Sequence, residues 1–334
     1  MKYSDLRTTI LAQFLAPQGH RIVPVIKGKP GGGKSALSRD VMHDPALGLQ
    51  LVIEFNGSLR EPADILGIPF KSDDGTHSKW LPPEEMWMLQ HGRVGLILEE
   101  YSDATVAMQN AECRVIYDRY AGQLKLSDTL FIIGTGNRTE DKSGANRVTS
   151  KFHNRVRQYM FDENIDDWAD WALNKGIDVI LIQFLRFRPN LLSDFVPDRA
   201  INPTPRKWED VSLIPSELPT NLYFESVAGD VGEGAAAEYT GFRRIYEGLP
   251  NIDGIIMNPA KAQVPTDPAV LYALTGALAH RVSKDNFDRV SEYTQRLPSD
   301  FQVMCINDAL KLKPEIKQTK AFVQFAVRNS NLLI

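Results

Sequence analysis

The residues best suited to chemistry stand in one early run, Gly28-Lys29-Pro30-Gly31-Gly32-Gly33-Lys34-Ser35, which fits the phosphate-binding pattern G-x-x-x-x-G-K-[ST]. In such a loop, glycines let successive backbone N–H groups close around phosphate oxygens. The lysine reaches the β- and γ-phosphates, and the serine hydroxyl sits on Mg²⁺. Gly28, Pro30, Gly31, Gly32, Gly33, Lys34, Ser35 and Ala36 are therefore the predicted nucleotide-binding residues, with Ser35 also a metal ligand. An apolar run through Val25 and Ile26 precedes the loop, and a helix-compatible stretch, 35–42, follows it. The expected ligand is a nucleoside triphosphate with Mg²⁺.

Further along, Leu96-Ile97-Leu98-Glu99-Glu100 ends an apolar run on two carboxylates. Splitting a phosphoanhydride calls for one carboxylate at the metal or its water shell and one to orient and polarise the attacking water. Glu99 takes the first role and Glu100 the second. Alone, the pair reads as a solvated strand end; the glycine-rich loop upstream is what gives it weight. Gly134-Thr135-Gly136-Asn137 places a neutral amide at another strand tip, where Asn137 can hold the same water or the γ-phosphate without adding charge beside Glu100. Arg147, Arg155 and Arg206 are three candidates for a guanidinium that stabilises charge on the γ-phosphate, a role a neighbouring subunit can also fill.

These residues need a scaffold that brings strand tips together. Apolar runs at 25–27, 49–55, 94–98, 129–134 and 158–161 read as strands, and helical patterns lie between them, most clearly at 105–120. Such alternation predicts an α/β fold, a doubly wound parallel five-stranded sheet with ligand at the carboxyl ends of its strands. Residues 166–174 and 177–187 read as two more helices of this domain, assigned to 1–190. Six prolines crowd residues 189–219, marking a linker over 191–204, and the remainder is mostly helical: a smaller helical lid over 205–285 and a C-terminal helical extension over 286–334 of unassigned role.

Composition narrows the class. The chain has 334 residues, 43% hydrophobic and 24% charged, with a net charge of −4, which argues against a protein that coats nucleic acid. Its two cysteines suggest neither a disulfide framework nor a nucleophile, and its six histidines lack metal-ligand spacing. Neither a membrane-spanning run nor a signal peptide is read at the N-terminus, so the expected location is the cytoplasm.

In ordered combination these motifs resemble the MoxR branch of the AAA+ ATPases, most closely its phage-type members, over about residues 20–285. Residues 28–35 resemble Walker A, 96–100 Walker B, and Asn137 the sensor 1 position. Arg155, in Phe152-His153-Asn154-Arg155-Val156, resembles the trans-acting arginine finger, with Arg147 as its competitor; Arg206, in Thr204-Pro205-Arg206, resembles sensor 2 at the start of the lid. The stretch from Arg60 to Pro83 is similar to the pore-facing insert in helix 2, although Gly, Pro and Asp explain it equally as a surface turn. One departure is Glu99, where the family has Asp, a change that lengthens the metal-side arm and bears on Mg²⁺ affinity and turnover. The resemblance implies ATP as substrate, Mg²⁺, a hexameric ring with sites between subunits, chaperone-like remodelling of a partner protein, and a von Willebrand factor A domain protein as a possible partner. Two other readings stand beside it: a DNA-acting motor or loader, and a nucleotide-gated scaffold with weak hydrolysis.

Overall fold

The structure is a computed structural model that describes residues 1–138, 152 and 154–328. The chain divides into two compact units, the first comprising residues 1–164 with 195–199 and the second 165–194 with 200–334.

The first unit is built on a five-stranded parallel sheet. Its strands are β1 (Pro24–Lys27), β2 (Leu51–Asn56), β5 (Val94–Glu99), β8 (Leu130–Gly136) and β9 (Arg157–Met160), in the spatial order β2-β5-β8-β1-β9. Side chains of a strand alternate between faces, and the burial follows that period of two. Val25, Leu96, Leu98, Leu130 and Ile132 join one core with Met108, Val115 and Ile116 of helix α5 (Val106–Asp118). Their neighbours Ile26, Ile97, Phe131 and Ile133 join the other core with Leu6, Ile10 and Phe14 of α1 (Tyr3–Leu15) and Leu37 and Val41 of α2 (Lys34–Met42). Both faces are covered, so the sheet is doubly wound, and near-continuous apolar strands are what such burial demands.

Two short antiparallel pairs interrupt this pattern. One joins β3 (Ile68–Lys71) to β4 (Ser78–Leu81) and the other β6 (Tyr120–Ala121) to β7 (Leu124–Lys125). The β3–β4 hairpin occupies the stretch read as an insert or a turn. It is a regular ribbon, with Ile68 opposite Leu81 and Phe70 opposite Lys79, and all eight residues are exposed.

Among the described residues the second unit is helical. Val179–Phe187 and Pro205–Ser212 pack Phe184 and Trp208 against Tyr239 of Glu233–Glu247, and the Trp208 indole donates to the Leu191 carbonyl at 2.7 Å. A second cluster gathers Leu278 of Pro268–Arg281 with Phe287, Tyr293 and Ile306. This is the helical domain expected after the sheet, and it is about as long as the first unit. The helices at 165–187 belong to it and not to the sheet domain, and residues 286–328 pack into it. Arg186 explains both assignments: its guanidinium pairs in a buried setting with Asp308, Nη2 to Oδ1 at 2.9 Å, while Gln183 donates to the same carboxylate at 3.2 Å. A buried arginine whose partner is removed is left uncompensated, so these segments are bound in one core. Among the described residues no helix is long and apolar enough to cross a membrane.

Candidate functional site

Strand β1 ends at Lys27 and α2 begins at Lys34, so residues 28–33 form the turn between them. Gly31 and Gly33 have φ of +71° and +105°, backbone conformations that a side chain disfavours. An added Cβ at Gly33 would meet no atom within 4 Å, so conformation and not crowding calls for glycine there. The first N–H groups of α2 lack carbonyl partners within the helix, and with the helix dipole they make this end a site for anions. Ser35 is half-buried in that first turn and Ala36 is exposed beside it. Lys34 is 9% exposed and folds over its own loop, donating to the Gly28 carbonyl at 2.9 Å, the Lys29 carbonyl at 2.7 Å and Asn137 Oδ1 at 3.0 Å.

The sheet order decides which strand tips face this loop. β8 lies between β1 and β5, with Lys27 level with Gly136 and Leu98 level with Gly134, so Asn137 leaves the sheet beside the start of the loop and the acidic pair one strand further on. Glu99 ends β5 level with Asn56 of β2 and accepts from Arg39 of α2 at 3.3 Å; the same guanidinium grips Glu54 at 2.8 and 2.7 Å. Glu100 turns out of the sheet with φ +52°, a left-handed backbone costing on the order of 1–3 kcal/mol that the surrounding turn must hold in place. Its carboxylate accepts from Ser58 Oγ at 2.8 Å and Asn56 Nδ2 at 3.2 Å.

Asn137 is held from three sides. Its backbone N–H donates to Ser102 Oγ at 3.0 Å, its Nδ2 donates to Asp103 Oδ2 at 2.9 Å, and its Oδ1 accepts from Lys34. Tyr101, between the acids and this pair, is fully buried and stacks on Phe152. Burial raises its phenol well above the ordinary range. Glu112 of α5 is buried beneath the same corner, against Gly57; burial pushes its carboxyl up to about 8, so at neutral pH it is chiefly uncharged.

Of the predicted site residues, Gly28 to Ala36, Glu99, Glu100 and Asn137 come together at the carboxyl ends of β1, β8 and β5. Arg155 does not join them within its own chain. It precedes β9, whose Arg157 is level with Pro24 at the start of β1, so it lies at the opposite edge of the sheet, about 20 Å from the loop at ~3.3 Å per residue. There its guanidinium stacks on the exposed ring of Tyr117, 4.1 Å from the centroid. Arg206 is exposed in the first turn of Pro205–Ser212, behind a Thr204 side chain that caps Lys207 N–H at 3.3 Å. Arg147 lies outside the described residues.

The sequence reading missed Arg39, Asn56, Ser58 and Asp103. Asn56-Gly57-Ser58 follows the second strand directly, and Asp103 follows the acids by three positions, but only strand order brings the first group to Glu100 and Asp103 to Asn137. Ser35 and Glu99 offer hard oxygens, the donor chemistry that suits Mg²⁺, which takes one or two protein ligands together with substrate phosphates and water. Arg39 makes its shorter bonds to Glu54, so its hold on Glu99 is the weaker one and leaves that carboxylate able to serve a metal's water shell.

No family model and no curated protein matches this chain. Solved structures similar to it include NtrX from Brucella abortus, at 16% identity over 96% of this chain and 64% of that one, with a TM-score of 0.36. Another is NtrX in complex with ATP, at 15% identity over 74% and 64%, with a TM-score of 0.37. A third is the Thermotoga maritima RuvB Holliday junction branch migration motor, at 13% identity over 88% and 87%, with a TM-score of 0.41. The chain thus covers 64% of the length of the NtrX chains it matches. Likeness at this level leaves function to be read from the residues themselves.

Proposed function

We propose that this protein is an ATP hydrolase of the AAA+ type, most similar to the MoxR branch, that couples hydrolysis to remodelling of a partner protein. One observation carries the reading: a loop lysine, a neutral amide and two strand-end carboxylates converge at neighbouring tips of one parallel sheet. Backbone N–H groups of the loop and Lys34 grip the phosphates. Glu99 and Ser35 would hold Mg²⁺, which would supply positive charge against the phosphates, and Glu100 would accept a proton from the attacking water.

The placement of Arg155 favours a composite site. An arginine that cannot reach the phosphates of its own loop is available to a neighbouring copy, which is what an interfacial finger requires. The resemblance extends this to a ring of six subunits, Arg206 acting on the nucleotide as sensor 2, residues 205–285 serving as a lid, and a von Willebrand factor A domain partner.

The decisive experiment compares wild type with Glu100→Gln. Nucleotide affinity, read by a fluorescent ATP analogue in Mg²⁺ buffer, stays within about twofold, while phosphate release falls by about 10²-fold or more. Undiminished hydrolysis by the variant removes the proposed role of Glu100. A second reading is a nucleotide-gated scaffold with weak turnover, favoured by the bonds that already occupy Glu99 and Glu100. Nucleotide-dependent assembly of the wild type without phosphate release would select it.

A further inference from the structure

We propose that Asp103 is a positioning residue: it fixes the Asn137 amide with its oxygen toward the phosphate loop, so that Asn137 acts on the attacking water as an acceptor and not on the γ-phosphate as a donor. The proposal rests on the hydrolase reading and narrows it, because by residue type alone Asn137 is able to do either.

The argument turns on which way the amide points. In the observed orientation Oδ1 faces the Lys34 ammonium at 3.0 Å and Nδ2 faces the Asp103 carboxylate at 2.9 Å. Rotating the amide by half a turn would set its NH₂ against an ammonium and its oxygen against a carboxylate, turning two charge-assisted bonds into two repulsions. Chemistry thus selects the orientation. Asp103 is itself held: its Oδ1 accepts from Ser102 Oγ at 2.9 Å, and its N–H donates to the Glu100 carbonyl at 2.8 Å. One short turn therefore carries both the proton acceptor and the group that aims the amide.

The consequence appears when a triphosphate enters. Lys34 is drawn toward the phosphates and gives up Oδ1, whereas Nδ2 keeps its carboxylate partner. The vacated oxygen takes one hydrogen of a water whose other hydrogen points at Glu100, which directs the lone pair of that water at the γ-phosphorus. The new P–O bond forms as the bond to the β–γ bridging oxygen breaks; one proton passes to Glu100 and the bridging oxygen leaves with ADP. A donor role for Asn137 at the γ-phosphate would first require Nδ2 to abandon Asp103.

The test uses the full-length protein with ATP and Mg²⁺, measuring kcat and the Kd of a fluorescent ATP analogue. Asp103→Ala frees the amide to rotate and is expected to lower kcat by about ten- to hundredfold, the loss expected for one misaimed group, with Kd within about twofold. Asp103→Asn keeps an acceptor oxygen for Nδ2 and recovers most of that loss. In an Asn137→Ala background, adding Asp103→Ala has no further effect, since the two act as a unit. The proposal is overturned if Asp103→Ala lowers kcat equally in that background, if Kd weakens in step with kcat, or if kcat is unchanged while the wild type is active. Failure of the underlying reading looks different: the wild type and Glu100→Gln would then be equally inactive.

Discussion

The ring of Tyr101 lies flat against that of Phe152, with centroids 4.4 Å apart and planes 5° from parallel. Tyr101 directly follows Glu100, and the Phe152 carbonyl accepts the Arg155 N–H at 3.0 Å. The turn that carries the acids and the turn that carries the proposed finger thus share one aromatic contact. Phe152→Leu keeps apolar volume and removes the stacked face. The expected loss is about 1–2 kcal/mol of stability, with hydrolysis falling more than nucleotide affinity. Thermal unfolding and steady-state turnover check this, and an unchanged ratio of kcat to Kd would separate the stack from the site.

Arg155 offers a test of the composite site by mixing. Arg155→Ala and Glu100→Gln are each expected to lose most turnover. A site formed from the loop and Glu100 of one and the Arg155 of the other is complete, so equimolar mixing should restore a fraction of wild-type phosphate release. No recovery in mixed oligomers, verified by co-purification, would rule out an arginine acting across subunits.

The carboxylate of Glu100 is pinned toward β2 by Asn56 and Ser58. The two donors hold it toward β2 and away from a water at the loop. Replacing both with alanine is expected to raise basal turnover severalfold. A fall in turnover would instead assign these donors to productive alignment.

Glu112 predicts a pH signature in stability. Its carboxyl is raised from 4.5 to about 8 by burial alone, so the folded state binds an extra proton between those values. Stability contributed by this group therefore declines as pH rises from about 4.5 and levels off above about 8. Glu112→Gln keeps the shape without a charge to bury. It should flatten the pH dependence of the melting temperature and exceed the wild type at pH 8 by on the order of 4 kcal/mol. Parallel curves for the two proteins would show that the carboxyl is hydrated in solution.

Much of this architecture was legible in the chain. Apolar runs such as 94–98 and 129–134 announce strands because both faces of a parallel sheet are buried, and Thr105 caps α5 as its residue type suggests. The loop and the acidic pair were legible because their chemistry is local in sequence. What escaped was set by lateral order: Asn56 meets Glu100, and Asp103 meets Asn137, only once β5 is known to lie between β2 and β8. The domain boundary escaped for a related reason, since the apolar face of 179–187 suits a helix against a sheet as well as one against other helices, and Arg186 reveals its partner only in three dimensions.

Arg39 joins the helix that begins at Lys34 to two adjacent strands, through Glu54 and Glu99. The span from loop to acids is thereby braced by side chains on regular elements, so under the proposed function the cleft would serve as a fixed gauge for tail length. A diphosphate seated on the loop would stop short of the far end, and spent and fresh nucleotide would differ by reach before any larger motion is asked of the molecule.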